Sequence, residues 1–215
     1  PVQTNVAYGA NLDGVETEED PGTATSCAHR KFRTPAGGLA DNQFYRAFGC
    51  VHAFNGNVAY SGNLIEDIHD SSRKDGEMTI LIEVTGVKDD RNSPKVEVGF
   101  YSSPDPMQPA RKGRPMQKAS LSVSDDPRYR TVAPGRIVDV VLTTAPVDVH
   151  FYFNSVAAHR DGEEYFVRAA RLRMELHPDC TAQGTRAGDW DVDPVYNALF
   201  ARVLDTPGGM KIQTI

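Results

Sequence analysis

Residues 78–85 decide the fold of this chain, and their sequence is MTILIEVT. The branched aliphatic side chains of Ile80, Ile82 and Val84 recur at every second position, which is the period of a β-strand with one buried face. Residues 96–101 repeat the alternation after a loop at 86–94 that is rich in turn-forming residues. These two stretches therefore predict an antiparallel β-hairpin.

Further alternating stretches continue the pattern toward the C-terminus. Residues 147–153 place Val147, Val149, Phe151 and Phe153 on one face. The stretch 165–176 is predicted to place another set together: Phe166, Arg168, Ala170, Leu172, Met174 and Leu176. Shorter strands are predicted at 119–123, 130–132 and 136–142. No helical period separates these stretches, so the sequence predicts an all-β fold of antiparallel sheets packed as a β-sandwich, with a jelly-roll-like arrangement.

One short helix is predicted near residues 194–204. Asp193 suits the helix N-cap, and Pro194 suits the first helical position because its missing N–H has no partner to lose there. Residues 1–40 show no periodicity and are predicted to form an irregular N-terminal segment. Residues 41–215 are predicted to form a single β-sandwich domain that ends in this helix, since sandwiches of about 200 residues commonly fold as one unit.

Composition and charge exclude several classes of protein. The 215 residues carry a net charge of −6, and acidic and basic side chains are mixed without a basic run, so no nucleic-acid partner is predicted. No stretch approaches the ~20 consecutive apolar residues of a transmembrane helix. The GxSxG, phosphate-loop and CxxCH motifs are absent, so the reaction classes that depend on them are not predicted.

A polar face of the predicted sheet is the main candidate for ligand binding. Its residues occupy the strand positions that alternate with the apolar ones: Glu83, Glu97, Tyr101, His150, Tyr152, Arg171 and Arg173. Jelly-roll sandwiches bind glycans on such a face, where aromatic rings pack on sugar rings and charged groups bind hydroxyl groups. All of these residues except Glu83 form the predicted ligand site. The alternative is a solvated outer face on which the arginines neutralise the glutamates.

Glu83 and Glu97 are predicted to face each other across the first hairpin. Glycoside hydrolysis uses two carboxyl groups roughly 5–9 Å apart, so this pair is the catalytic candidate. Directly opposed like charges destabilise a sheet, and a functional role would account for them. In that alternative the chain is a glycan-processing hydrolase or lyase on a jelly-roll scaffold.

Residues 189–193 carry carboxylates at alternate positions, namely Asp189, Asp191 and Asp193. Oxygen ligands of this kind suit Ca²⁺, which takes about 6–8 of them. The full EF-hand pattern is absent, and Asp193 is already accounted for as a helix cap. A calcium site is therefore one prediction and a purely structural segment is the other; no other cofactor is predicted.

Three cysteines bear on the compartment of the protein. Cys27 and Cys50 both lie in turn-rich segments, and they could form a disulfide if the protein is exported. The alternative is three unrelated reduced thiols. In the paired case Cys180 is left over, either as a free thiol or paired with another molecule.

Several short stretches resemble a group of uncharacterised exported bacterial proteins. They are Cys27, then DNQFYR at 41–46 followed by Gly49-Cys50, then VEVGFY at 96–101 and DDPRY at 125–129. The similarity spans roughly residues 25–200. It implies export, to the periplasm or the medium, and it implies that Cys27 pairs with Cys50. It implies no activity.

Three hypotheses of function follow from the sequence. The leading one is an exported, non-catalytic binding or interaction module that presents its polar sheet face, or the basic loop at 102–118, to a glycan or a protein partner. The second is the glycan-processing enzyme described above. The third is a structural subunit of a larger extracytoplasmic assembly, which would dock through the C-terminal helix and the N-terminal segment.

Overall fold

The structure of the chain is a computed structural model, and its regular elements are almost entirely β-strands. It describes residues 6–12, 14, 30–35, 37–42, 79–105, 109–110, 114–115, 120–153 and 163–191. Their strands are β1 (Phe32–Arg33), β2 (Leu39–Ala40), β3 (Thr79–Thr85), β4 (Ser93–Ser103), β5 (Pro109–Ala110), β6 (Arg114–Pro115), β7 (Arg130–Val138), β8 (Val141–Thr144), β9 (Val147–Phe153), β10 (Glu163–Leu176) and β11 (Ala182–Trp190). A short 3-10 turn at Pro127–Tyr129 precedes β7. No helix among the described residues is long and apolar enough to cross a membrane.

The seven long strands form one antiparallel sheet. The strand order is β11-β10-β8-β7-β4-β3, and β9 pairs with β10 beside β8. Every one of these pairings is antiparallel. The prediction of an all-β antiparallel fold is confirmed. The jelly-roll arrangement stays a prediction, and the predicted helix near 194–204 lies outside the described residues.

The predicted first hairpin is present as β3 and β4, joined by residues 86–92. Ser93 begins β4 and is buried, and its hydroxyl oxygen accepts the backbone N–H groups of Lys88 and Asp89, each at 3.0 Å. The same hydroxyl donates to the Asp89 carbonyl at 2.7 Å. One side chain thereby closes the loop, because it satisfies three backbone groups at once.

The sheet bends at strand β10 and closes over the hydrophobic core. Its first half pairs with β9 and its second half with β8, and the register with β9 shifts between Val167 and Ala170. At this β-bulge Ala169 has a φ of 47°, and its N–H donates to the Asp148 carboxylate at 2.9 Å. Bulges bend a strand and increase its twist, so the sheet turns back on itself at this point.

As a result, β9 lies against β4 although the two strands are not neighbours in the sheet. The Tyr152 N–H donates to the Ser102 hydroxyl at 3.0 Å, and Ser102 is buried on the core side of β4. Side chains of β4, β7, β8, β9 and β10 meet in one hydrophobic core: Val96, Val98, Phe100, Ala133, Ile137, Leu142, Val149, Phe151, Val167, Ala170 and Leu172. The curled sheet is therefore sandwich-like, with its walls packed over a shared interior.

The bulge makes the predicted alternation of residues 165–176 wrong in its first half. Val167 and Ala170 are both buried, so the inward positions change from odd to even numbers within β10. The sequence predicts Phe166 and Arg168 on the same face as Leu172. In the structure they point away from the core, because the bulge inserts one extra residue between the two halves of the strand.

Three smaller segments differ from the prediction or add to it. β7 runs unbroken through residues 130–138 and turns at Asp139 and Val140, whose φ angles are 46° and 61°. Residues 120–123, which belong to the strand predicted at 119–123, form no strand. The described part of the N-terminal segment contains the short antiparallel pair of β1 and β2.

Candidate functional site

The residues predicted to form one polar face are distributed over separate surfaces. Glu83, Glu97 and Tyr101 point outward from β3 and β4, whereas His150 and Tyr152 point outward from β9. β9 pairs with β10 and not with β3 or β4, so the two groups of side chains stand on strands that are not neighbours in the sheet. The pairing does not bring these residues onto neighbouring strands, and a ligand site formed by them stays a prediction.

Glu83 and Glu97 do not face each other, so that prediction is wrong as well. The register pairs Glu83 with Gly99 and Glu97 with Thr85. The Tyr101 hydroxyl donates to the Glu83 carboxylate at 3.0 Å, and the Tyr101 ring covers Gly99, where an added Cβ would collide with it. Glu83 is therefore engaged by a tyrosine and does not stand opposite a second carboxylate.

The pKa of Tyr101 provides a test of this contact. Burial raises the pKa of Tyr101, and so do the hydrogen bond to Glu83 and the charge of Glu83, because all three disfavour the phenolate. We expect Glu83→Ala to lower the pKa of Tyr101 toward its ordinary value and Glu97→Ala to leave it unchanged. The measurement is an NMR titration of the Tyr101 ring carbon, assigned with the help of Tyr101→Phe.

The direction of the pKa shift also fixes the sign of its effect on stability. Since the folded-state pKa of Tyr101 is raised, the shift contributes stability below the unfolded-state pKa, and this stability is lost as the pH rises through the folded-state pKa. Glu83→Ala should therefore reduce the loss of stability at alkaline pH. An equal fall of the Tyr101 pKa in both alanine variants would contradict the contact.

The two arginines of the predicted site have different surroundings. Arg171 donates to the backbone oxygen of Asn11 at 3.3 Å, so the N-terminal segment lies against it. Lys31 in turn donates to the Asn11 side chain at 2.5 Å and to the Asp41 carboxylate at 3.3 Å. Arg173 is exposed on the outward side of β10. Arg171 therefore anchors the N-terminal segment, and only Arg173 of the pair faces solvent.

The outward side of β9 and of the first half of β10 carries a group of aromatic and charged residues, here called the platform: His150, Tyr152, Glu164, Phe166 and Arg168. The register places Phe166 opposite His150 and Glu164 opposite Tyr152. The His150 and Phe166 rings are stacked, with centroids 4.2 Å apart and planes at 23°. The Arg168 guanidinium lies 5.3 Å from the centroid of the Phe166 ring. Three flat groups therefore follow one another across the platform.

Ion pairs hold the charged groups at one end of the platform. Glu164 accepts a hydrogen bond from Arg128 at 3.2 Å and makes a short contact with His150 Nδ1. Arg128 belongs to the 3-10 turn, and two of its nitrogens bind the Asp126 carboxylate at 2.7–3.2 Å. Their hydrogen bonds raise the pKa of Arg128 and lower the pKa of Asp126, because they stabilise the charged form of each. These contacts restrict the side chains at this end of the platform.

Tyr152 is the platform residue that contacts the 3-10 turn. Its ring lies against that of Tyr129, with centroids 5.8 Å apart and planes at 56°. Tyr129 is only 7% exposed, and burial raises its pKa. The backbone of Tyr152 is held by Ser102, so both its ring and its main chain have fixed partners.

Sequence reasoning finds two residues of the platform and misses the other three. His150 and Tyr152 point outward, as the alternation predicts, because Val149 and Phe151 are buried. The three residues of β10 are missed because the bulge reverses their side of the sheet. Ala169-Ala170 is the signal that could have revealed it, since two successive small residues interrupt the alternation of polar and apolar positions.

The predicted calcium ligands have other surroundings in the structure. Asp191 pairs with Arg168 at 2.7 Å, and Asp189 lies opposite Arg168 in the register of β11. Asp193 lies outside the described residues. Within the described ranges, no three His, Cys, Asp or Glu side chains are grouped closely enough to hold a metal ion. A calcium site on these aspartates stays a prediction.

The cysteines are described only in part. Cys27 and Cys50 lie outside the described residues, so their pairing stays a prediction. Cys180 is a free, exposed thiol in the turn between β10 and β11, where its φ is 62°. Whether Cys180 stays free or pairs with another molecule stays a prediction.

Comparison of the chain with known proteins finds no match. Neither a protein-family model nor a curated protein nor a solved structure matches it. The resemblance to exported bacterial proteins therefore stays a prediction, and the function has to be argued from the geometry of the platform.

Proposed function

We propose that the chain is a non-catalytic binding module and that its platform binds a glycan. The observation that carries this proposal is the row of flat groups formed by His150, Phe166 and Arg168 on the outward side of β9 and β10. His150 and Phe166 cover one face of each other, so a sugar ring packs its C–H groups on the parts of this stack that stay exposed. The neighbouring Glu164 and Arg128 offer acceptors and donors for sugar hydroxyl groups.

The platform is arranged so that binding costs little conformational entropy. Its side chains stand on paired β-strands, and the contacts among Arg128, Glu164 and His150 restrict them further. Ordering one long side chain on binding costs about 0.5–1.5 kcal/mol, and groups that are already ordered avoid most of that cost. A surface of this kind suits recognition.

A glycan-processing enzyme on the same scaffold receives less support. Hydrolysis uses two carboxyl groups that flank the bond to be cleaved. On the platform Arg128 binds both Glu164 and Asp126, and in the first hairpin Glu83 accepts the hydrogen bond from Tyr101. Carboxylates held in this way suit the positioning of side chains better than the transfer of protons.

Export is part of the proposal, whereas the assembly subunit is the less supported alternative. The resemblance to exported bacterial proteins supports a periplasmic or secreted location, and a disulfide between Cys27 and Cys50 would suit that location.

For a docking segment, we would expect N-terminal residues that leave the domain. Asn11 instead binds Arg171 of the same chain, which favours a binding module over an assembly subunit.

Alanine variants of the platform test the proposal. On a glycan array we expect the chain to bind at least one glycan. Phe166→Ala and His150→Ala should each weaken that binding by about tenfold, which corresponds to about 1.4 kcal/mol, because each removes one ring from the row. Calorimetric titration with the glycan that binds best gives the dissociation constants to compare.

Tyr101→Ala is the matched control for these variants. Tyr101 is also an aromatic residue on an outward face, but it stands on β4, across the core from β9. This variant should bind the glycan as the parent chain does. An array without any bound glycan, or an equal loss of affinity in all three variants, would refute the platform as the binding site.

A further inference from the structure

Arg186 lies on the core side of β11, where a charged side chain is unexpected. The register pairs Arg186 with Leu172, and directly paired residues of an antiparallel sheet share a face. Leu172 is 5% exposed and belongs to the hydrophobic core. Because β11 is the last strand in the order of the described sheet, Arg186 stands at the rim of that core.

The Arg186 guanidinium lies on an aromatic ring. Its central carbon is 4.4 Å from the centroid of the Phe151 ring, and Phe151 is fully buried. Burial lowers the pKa of Arg186, because it disfavours the charged form. Within the described part of the chain, no carboxylate bonds to Arg186. A charge in such surroundings is costly unless an anion accompanies it.

Solvent nevertheless reaches this residue. Arg186 as a whole is exposed, and the positions that flank it on the core side of β11 are Gly184 and Gly188. Both positions lie so close to β10 that an added Cβ would collide with its backbone. The space beside these two glycines is filled by atoms of β10, among them side-chain atoms of Met174 and Val167, so a ligand would approach Arg186 over its own exposed surface.

Aromatic rings continue from Arg186 along the core side of the sheet. Phe151 is paired with Tyr165, and the Tyr165 ring lies with its centroid 5.1 Å from that of Trp190. Trp190 is 41% exposed. Arg186, Phe151, Tyr165 and Trp190 together are called the rim site below. The Arg186 guanidinium stands at one end of the rim site. The exposed indole of Trp190 stands at the other end, four residues further along β11.

We propose that the rim site binds an acidic glycan, with a uronic acid carboxylate on Arg186 and a neighbouring sugar ring on Trp190. A guanidinium binds a planar carboxylate through two parallel hydrogen bonds. A single small carboxylate engages Arg186 alone, whereas a chain of two or more sugar rings extends to Trp190. The rim site lies on the core side of the sheet and the platform on the outward side, so the two proposals stand independently.

Titration with galacturonate and its oligomers tests this inference. We expect trigalacturonate to bind the full chain more tightly than galacturonate, because only the oligomer spans the rim site. Arg186→Gln should weaken the binding of trigalacturonate at least tenfold. Trp190→Ala should reduce the affinity for trigalacturonate to that for galacturonate. Calorimetric titration at low ionic strength, where charge-assisted binding is screened least, provides the comparison.

Arg173→Gln is the matched control, because Arg173 is an exposed arginine on the outward side of the neighbouring strand. Its affinity for trigalacturonate should equal that of the parent chain. Since Arg186→Gln removes a desolvated charge, its midpoint of thermal unfolding should stay at or above that of the parent, which separates lost binding from lost folding. The affinity of the parent chain for the methyl ester of trigalacturonate should not exceed the affinity of Arg186→Gln for trigalacturonate itself.

Three results would overturn the rim site as proposed: no binding of trigalacturonate, unchanged affinity in Arg186→Gln, or equal affinity for the acid and its methyl ester. Benzoate carries the same carboxylate on an aromatic ring and should bind only weakly. If benzoate bound as tightly as trigalacturonate, the proposal that the ligand is a glycan would be contradicted.

Discussion

Replacing Phe151 with alanine should lower the free energy of unfolding by about 3–5 kcal/mol, as is usual when a buried phenylalanine is truncated. Phe151 is fully buried in the shared core, where β9 lies against β4. The truncation leaves a cavity between the walls of the sandwich and removes the ring under Arg186. Because domains have only about 5–15 kcal/mol of stability, the variant should be close to unfolding. Urea-induced unfolding, followed by circular dichroism, provides the measurement.

Val132→Ala is the control for this experiment. Val132 is an apolar residue of β7 that is 53% exposed, so its truncation should change the free energy of unfolding by less than about 0.5 kcal/mol. Phe151→Leu should fall between the two variants, since leucine refills part of the cavity. If Phe151→Ala and Val132→Ala were equally stable, β9 would not pack across the core from β4.

Gly184→Ala is the second substitution with a large expected effect, at about 2–3 kcal/mol of destabilisation. An added Cβ would collide with the backbone oxygen of Arg173 and lie 2.7 Å from the Cα of Met174. These are main-chain atoms of β10, so the collision can be relieved only by moving β11 away from its partner. The same urea titration measures the loss.

Gly99→Ala provides a matched glycine control. The three atoms nearest to an added Cβ at Gly99 all belong to the side chain of Tyr101, which can rotate into solvent. We therefore expect Gly99→Ala to leave the free energy of unfolding nearly unchanged. Equal destabilisation by the two glycine substitutions would mean that the close approach of β11 to β10 is not what requires Gly184.

The sequence predicts strands correctly where polar and apolar side chains alternate without interruption. The alternations within residues 78–85, 96–101 and 147–153 correspond to β3, β4 and β9. A period of two leaves only one way to bury the apolar side chains, so the inward and outward positions follow. The same period says nothing about which strands become partners. The contact of β9 with β4, which is not its neighbour in the sheet, therefore could not be predicted.

Strand β10 shows where this reasoning fails. Its bulge depends on Asp148, a residue of another strand that accepts the N–H of Ala169. A contact between distant parts of the sequence thus decides which side chains of β10 face the core. The places of Phe166 and Arg168 on the platform follow from that contact, and local alternation cannot reveal them.

The rim site is even less predictable from the sequence than the platform. Residues 182–190 are AQGTRAGDW, a stretch that contains two glycines and lacks alternation, so the sequence predicts no strand there. It becomes β11 because β10 offers a long edge, and because Gly184 and Gly188 allow the two backbones to approach. Arg186 is placed beside the core only through that pairing.

Strand β10 also ties the two walls of the sandwich together. One half supplies the hydrogen-bond partners of β8, the other half supplies those of β9, and most of its length pairs with β11. Once this strand detaches, β9 and β11 lose the partner strand that the described sheet gives them, and β8 loses one of its two. The described sheet should therefore melt as one cooperative unit, in a single transition without a half-open intermediate.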